Sequence, residues 1–372
     1  MNSAITRPKV MRVREYVLNQ LAIGTLSQGD ALPTESELAK ELEVGRHSVR
    51  EAIGELDRSG VVQRVQGKRT CVSRQSNSEA HPAKKVNAYA LVLPETIVSG
   101  LYPSLIWGFG QKARESRQES LMVETDGDLA TQGDVIFRLL HIKVSGIAIV
   151  PAHAPMPDHQ LEVLRAHKIP VVFCHRHTAN LDAPLVRWSA EEAGRVAAAT
   201  LADLGHTEIV LLSAAFGVPV DRYILGMRSE LTSRGIAFSH SQVFFGKHHL
   251  HSTDEQEWDE LSGRVLDGIN RPTAVFCCDD SVSEHLYLAA MQRGLRVPED
   301  LSIIGFGPKW RDGALRTKLA AVTIDEVDIG RHAIQLIDEM REGTRPLDSN
   351  EVVTVPLGLS EGSSLGPPRH KN

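Results

Sequence analysis

The chain has 372 residues, 42% hydrophobic and 24% charged, with a formal net charge of −6 at pH 7. That length suits two or three domains, and the composition is that of an ordinary folded protein, which excludes intrinsic disorder. No apolar run approaches the ~18 residues of a membrane span, and residues 1–19 lack the apolar core of a signal peptide, so a cytoplasmic chain with no membrane partner is expected.

Four cysteines, Cys71, Cys174, Cys277 and Cys278, suggest neither a disulfide framework nor a CxxC metal knuckle, and read as reduced thiols. Charge is unevenly spread. Residues 1–74 carry 12 Lys and Arg against 9 Asp and Glu, a net of +3, while the remainder carries 29 against 38, a net of −9. The asymmetry is consistent with a small module that meets phosphate ahead of a large one that does not.

Residues 8–22 place Val10, Val13, Val17 and Leu21 at helical spacing. After a turn at 27–30, Thr34 with Glu37 three residues on forms a capping-box pattern that starts a short second helix. Val44-Gly45 interrupts. Arg46 to Ser59 resumes with Val49, Ala52, Ile53 and Leu56 on one face, and Gly60 reads as its C-cap. Two short helices joined by a tight turn predict a helix-turn-helix. The runs 61–65 and 70–73, separated by Gln66-Gly-Lys-Arg69, predict a β-hairpin wing. Residues 75–87 are polar, contain Pro82 and read as a linker.

Beyond the linker, strand-like and helix-like stretches alternate. Strands are expected at 88–93, 120–124, 146–150, 169–173, 208–212, 242–245, 274–278 and 301–305. Helices are expected at 102–115, 130–143, 190–204, 223–234, 258–269, 282–293 and 327–342. Such alternation implies parallel sheets with crossover helices, and about 270 residues make two such sheets. The tail 362–372 reads as disordered.

If the second short helix enters a major groove, its exposed N-terminal residues Arg46, His47, Ser48 and Arg50 reach base edges, since Arg can bond guanine bidentately and Ser or His can bond bases or phosphates. A solvated amphipathic helix with surface arginines is the alternative. Residues 61–74 hold Arg64, Lys68, Arg69 and Arg74 and no acidic residue, as suits a hairpin tip lying against the phosphate backbone or the minor groove.

Leu32-Pro-Thr-Glu-Ser-Glu-Leu-Ala39 followed by Val44-Gly-Arg-His-Ser-Val-Arg-Glu-Ala-Ile53 resembles the GntR-type winged-helix signature, which Leu56, Gly60-Val-Val62 and Gln66-Gly-Lys-Arg-Thr70 continue in order. The resemblance implies a winged-helix DNA-binding domain over 8–74, with DNA contacts by Arg46, His47, Ser48 and Arg50 and, at the wing, by Gly67 and Lys68; Arg69 joins the DNA-binding set as a basic residue of the hairpin tip. Ser36 stands where the family often has a basic residue. Arg69 stands where a second wing glycine is common.

Residues 88–361 resemble the effector domain of LacI/GalR-type regulators, a two-lobed periplasmic-binding-protein-like α/β fold. The resemblance rests on Ala199-Thr-Leu-Ala-Asp-Leu-Gly-His206, Asp221-Arg-Tyr-Ile-Leu-Gly226, Pro272-Thr-Ala-Val-Phe-Cys-Cys-Asp-Asp280, Gly294-Leu-Arg-Val-Pro-Glu-Asp-Leu-Ser-Ile-Ile-Gly-Phe306 and Thr323-Ile-Asp-Glu-Val-Asp-Ile-Gly330. It implies a ligand cleft between lobes at the C-terminal ends of parallel strands. Arg222 and Arg176 match family arginines that bond ligand oxygens, Asp280 matches a carboxylate that accepts from hydroxyls, and Tyr102 matches a pocket aromatic. An ordinary surface ion pair or a core aromatic is the alternative for each. Gly307-Pro308 replaces a common acidic pair, Ser189-Ala190 a common Asp-Asn, and His175 stands where Asp is frequent. Trp107, Trp188 and Trp310 read as packing residues, with a stacking face for ligand as the alternative.

Together these readings describe a ligand-responsive transcription regulator, a repressor of carbohydrate-related genes, binding a pseudo-palindromic operator in double-stranded DNA as a homodimer and sensing a sugar. A non-sugar metabolite is the alternative effector. An enzyme-like, cofactor-binding C-terminal domain is the alternative class, but no Gly-rich phosphate loop or nucleophile elbow supports it, so neither catalytic residue nor cofactor is expected. The run Lys247-His-His-Leu-His251 holds a His-x-His pair able to bind a transition metal, and without further ligands at matched spacing it reads as a solvated loop, so no metal site is expected.

Overall fold

The computed structural model describes residues 3–369 apart from 23–24, 59–60, 65–68, 74–86, 95–101, 153–155, 157–159, 161–163, 165–166, 177–181, 215–217, 247–254, 269–270, 311–314 and 316. The expected linker, all but Asn87, and the histidine run therefore lie outside the described residues.

Three helices and a hairpin form the N-terminal module: α1 (Ser3–Ala22), α2 (Glu35–Glu41), α3 (Arg46–Arg58), β1 (Val62–Gln63) and β2 (Cys71–Val72). The capping box is present, with Thr34 N–H donating to Glu37 Oε2 at 2.7 Å and Glu37 N–H to Thr34 Oγ1 at 3.3 Å. Val13 and Val17 of α1, Leu38 of α2, Val49, Ile53 and Leu56 of α3, and Val62 and Val72 of the paired strands close one core. The helix-turn-helix is held by that shared interior, because neither short helix is stable alone.

The described chain divides into two compact units, residues 1–95, 109–186 and 332–352 in one, and 96–108, 187–331 and 353–372 in the other. In chain order the elements are β3 (Ala88–Leu93), α4 (Tyr102–Glu115), β4 (Glu119–Glu124), α5 (Leu129–His141), β5 (Gly146–Ile149), β6 (Val171–Cys174), β7 (Leu185–Arg187), α6 (Ala190–Asp203), β8 (Ile209–Ser213), α7 (Val218–Ser233), β9 (Val243–Phe245), α8 (Glu255–Leu266), β10 (Ala274–Cys277), α9 (Asp280–Gln292), β11 (Ser302–Pro308), β12 (Ala320–Ile324), α10 (Glu326–Arg341), β13 (Val352–Thr354) and β14 (Leu357–Ser360). One six-stranded sheet has the order β13-β7-β6-β5-β3-β4 and the other β14-β12-β11-β10-β8-β9.

The second sheet shows why both its faces read as apolar. Along β8, Ile209 and Leu211 face a cluster with Ala197 of α6 and Met227 of α7, whereas Val210 and Leu212 face one with Leu261 of α8 and Leu286 of α9. A parallel sheet with helices on both faces must bury both sets of alternating side chains. Its ladders β8–β9, β8–β10, β10–β11 and β11–β12 are parallel, and only the β12–β14 ladder is antiparallel. Helices α6 and α7 come close enough that a Cβ at Gly226 would lie 1.8 Å from the Glu191 carbonyl, so that contact excludes any side chain.

Three expectations are corrected. The tail is packed as far as Arg369 instead of disordered. β12 pairs with β11 only from Ile304 onward, leaving the Ile303 peptide to the tail. Its N–H donates to Ser364 O at 2.9 Å and its carbonyl accepts from Ser364 Oγ at 2.6 Å, with Ser364 itself buried. Strands β7, β12, β13 and β14 were not expected: β7, β13 and β14 are three- or four-residue pieces, and β12 (Ala-Ala-Val-Thr-Ile) is a five-residue buried run that the sequence reading passed over. Trp107 and Trp310, expected to pack, are 54% and 65% exposed.

Candidate functional site

Helix α3 presents Arg46, His47 and Arg50 to solvent at its N-terminal end. Ser48, expected beside them, is 5% exposed. It lies one turn before Ala52 and two before Leu56, and the inward face 48, 49, 52, 53, 56 takes it into the domain interior. His47 Nδ1 stands 3.7 Å from Glu51. Arg50 is held by a residue that the sequence reading did not single out: its Nε and Nη2 donate to Glu35 Oε2 at 3.3 and 3.1 Å. Arg64 Nη2 donates to the Arg50 carbonyl at 2.9 Å and lies 3.9 Å from Glu35. An exposed pair of this kind contributes roughly 0.2–1 kcal/mol, less than the ~1–3 kcal/mol of a bidentate base contact. Glu35 can therefore orient Arg50 and still yield it to DNA. Arg69 is exposed near the wing, while Gly67 and Lys68 lie outside the described residues.

The effector candidates fall on three helices and one loop. Arg176 follows β6, and His175 before it adopts φ 66°, left-handed backbone that a β-carbon disfavours. Arg176 Nε donates to the Pro151 carbonyl at 2.5 Å, and its Nη2 is buried without a hydrogen-bond partner among the described residues. A buried guanidinium N–H in that state is costly unless an acceptor reaches it. This residue belongs to the first unit; Tyr102, Arg222 and Asp280 belong to the second.

Asp280 opens α9 immediately beyond β10, where Asp279 caps the helix by accepting from Ser281 N–H at 2.8 Å. The Asp280 carboxylate lies against β11: a Cβ at Gly307 would come within 2.2 Å of Oδ2, and one at Gly305 within 3.3 Å of Oδ1. Gly307 in place of an acidic residue is thus the partner of this carboxylate position, since a second side chain has no room there. Ser189, the other departure, caps α6 by accepting from Glu192 N–H at 3.1 Å, a task an Asp also performs. Arg222 on α7 is largely exposed, 3.7 Å from Glu191. Tyr102, the first residue of α4, is buried. Trp188 packs with Phe306, ring centroids 4.6 Å apart, and with Tyr223 at 5.9 Å. Burial raises the Tyr223 hydroxyl well above its ordinary range and does the same to the Cys277 thiol. These groups are protonated packing at neutral pH.

Among the described residues no three His, Cys, Asp or Glu side chains are grouped to hold a metal ion, and no helix is long and apolar enough to cross a membrane.

Residues 9–72 match the model of bacterial regulatory proteins of the gntR family, and residues 198–365 match that of the periplasmic binding protein-like domain. This chain is a GntR-type transcription regulator with a periplasmic-binding-protein-like effector domain. The regulator is 26% identical over 351 residues to the arabinose metabolism transcriptional repressor of Geobacillus stearothermophilus, covering 91% of this chain and 92% of that one. It is 25% identical over 257 residues to catabolite control protein A of Priestia megaterium, covering 68% and 75%. Among solved structures, the transcriptional regulator CelR in complex with cellobiose aligns with a TM-score of 0.65 at 18% identity, over 90% of this chain and 100% of that one, a likeness of fold.

Proposed function

We propose that the regulator is a repressor of carbohydrate-related genes that acts in the cytoplasm. It binds a pseudo-palindromic operator as a homodimer, and a sugar changes its operator affinity. Arg46, His47 and Arg50 read the major groove and Gly67, Lys68 and Arg69 contact the backbone at the wing. Buried Ser48 is left out of the base-reading set. Arg176, Arg222 and Asp280 hold the sugar's oxygens, with Tyr102 beside them, and the domain binds its ligand without transforming it.

The observation that carries the ligand reading is the buried Arg176 Nη2, an N–H donor with no acceptor among the described residues. A sugar hydroxyl supplies that acceptor, and Asp280 supplies the complementary acceptor for a hydroxyl's own proton. The similarity to an arabinose repressor over 91% of the chain supports the sugar class and puts pentoses first in any panel.

The test is thermal unfolding of the purified protein against pentoses, hexoses, disaccharides, sugar acids and nucleobases. A ligand selective for the native state raises the midpoint, by ~2.7 kcal/mol of stability at a hundredfold excess over Kd. The expected result is a shift with one sugar that Arg176→Ala and Asp280→Ala both abolish. A shift with a nucleobase and none with any sugar contradicts the sugar assignment.

A further inference from the structure

A chain of hydrogen bonds and packed side chains runs from Arg176 to the helix that carries Arg46, His47 and Arg50, wholly within the first compact unit. It starts where Arg176 Nε donates to the Pro151 carbonyl. The next residue, Ala152, donates its N–H to Gln132 Oε1 at 3.2 Å. Gln132 is a buried residue of α5 whose Nε2 donates to Gln160 Oε1 at 3.0 Å, and Gln160 returns to the same helix by donating to the Leu129 carbonyl at 2.7 Å. The Gln160 side chain fits because position 133 is glycine, where a Cβ would lie 2.7 Å from its Nε2. The segment after β5 is in this way clamped to α5.

Ala130, Asp134 and Phe137 follow the i, i+4, i+7 spacing of one helix face. That face of α5 meets the winged helix. Phe137 packs against its core, Asp134 forms an ion pair with Arg14 of α1, and Arg14 Nη2 lies 3.5 Å from the Ala130 carbonyl. The other end of the same guanidinium pairs with Glu55 of α3. Arg14 is 8% exposed at its side chain, so one nearly buried cation is shared by a carboxylate of the DNA-reading helix and a carboxylate of the effector-side helix. Burial pushes the Asp134 carboxyl above its ordinary range, and Arg14 and Arg138 pull it back. Without Arg14 the two carboxylates would be left as like charges, with Arg138 the remaining cation beside Asp134.

We propose that Arg14 is the coupling residue of this regulator, a positioning residue that ties α3 to α5 so that a rearrangement at Arg176 reaches the DNA-reading helix. The proposal rests on the reading that Arg176 belongs to the effector site. Coupling of this kind needs a contiguous element that both ends can bias, and α5 is that element: Gln132 answers to the Arg176 side and Asp134 to α3.

The test is hydrogen exchange measured by mass spectrometry on the full-length chain with neither DNA nor sugar present, following peptides 46–58 and 129–141. Arg176→Ala removes the bond to Pro151 and is expected to speed exchange in both α5 and α3, on the order of tenfold. In an Arg14→Gln background, Arg176→Ala still speeds α5 and leaves α3 unchanged. Arg14→Lys, which keeps the cation, restores part of the α3 response. The proposal is overturned when Arg176→Ala leaves α3 unchanged in the otherwise wild-type chain, or changes it equally in the Arg14→Gln background. Loss of all α1 protection in Arg14→Gln would signal an unfolded winged helix. Asp134→Asn, which weakens the same link from the α5 side, then takes its place and must give the same silence in α3. Failure of the sugar reading is seen separately, as a sugar panel without thermal shifts beside an intact relay.

Discussion

The winged helix sets out the base-reading candidates Arg46, His47 and Arg50 on one turn and a half of α3, whereas the effector candidates fall on three helices and one loop, Arg176 in the first compact unit and Tyr102, Arg222 and Asp280 in the second. The first arrangement depends on helical periodicity and a small core. Within the second unit, Asp280 depends on the β11 glycines that leave its carboxylate room, and on a sheet whose hydrogen bonding is completed by its strand register and by a tail distant in sequence.

Several measurements sharpen that contrast. The largest effect is expected from deleting residues 362–372, which strips partners from the Ile303 peptide and from Ser302, His206 and the Ala320 N–H. Buried groups left unsatisfied cost about 1–3 kcal/mol each, so the urea midpoint of the effector domain should fall by the equivalent of at least ~3 kcal/mol, with the winged helix unaffected. An unchanged midpoint would remove the tail from the fold's interior. Gly307→Asp comes next: its side chain must displace the Asp280 carboxylate, at about 1–3 kcal/mol of overpacking, together with like-charge repulsion. Lost sugar response with Gly307→Ala in between is the expected series in thermal unfolding, and a fully stable, responsive Gly307→Asp would show that Asp280 does not occupy that space.

On the local side, Arg50→Ala should weaken binding to a selected operator by ~1–3 kcal/mol and binding to random duplex far less. Glu35→Ala should cost only tenths by comparison, since it releases an exposed pair. Equal losses on both DNAs would mark Arg50 as a phosphate contact.

The smallest effect concerns pH. Burial lowers the His206 pKa from its ordinary 6.5, and the Gly366 carbonyl, which fixes the proton on Nε2, opposes that shift. The unfolded chain therefore takes up a proton first as the pH falls. The stability His206 contributes is complete above about 6.5, declines below it and stops declining under the depressed folded value. The difference in melting temperature between wild type and His206→Gln should thus shrink from pH 7.5 to pH 5.5; a constant difference would contradict the assignment.

What the sequence made legible follows the same division. Thr34 and Glu37 announce a helix start because a capping box is a local pattern, and most of the long strands and helices declare themselves by runs of apolar residues. Ser48 was misplaced because a polar residue on the rim of a helical face is legible only from the finished packing. The tail was misread because Gly, Ser and Pro suggest disorder, while Ser364 is ordered by bonds to Ile303, 61 positions away. Glu35 with Arg50, and Arg14 with Asp134, are charges whose partnership exists only after folding. The place of Gly307 against Asp280 is of that kind too, visible in sequence only as a departure from a resemblance.

The central claim is that one chain reads DNA and changes its grip in response to a sugar. The direct measurement is fluorescence-anisotropy titration of a duplex enriched from a random pool by the protein, with L-arabinose and then each other sugar of the panel present or absent. The account predicts affinity for the enriched duplex ~10³-fold or more above random duplex, and a change of roughly 5–150-fold with one sugar. Equal affinity for both duplexes, or an enriched-duplex affinity that none of the sugars alters, would contradict it.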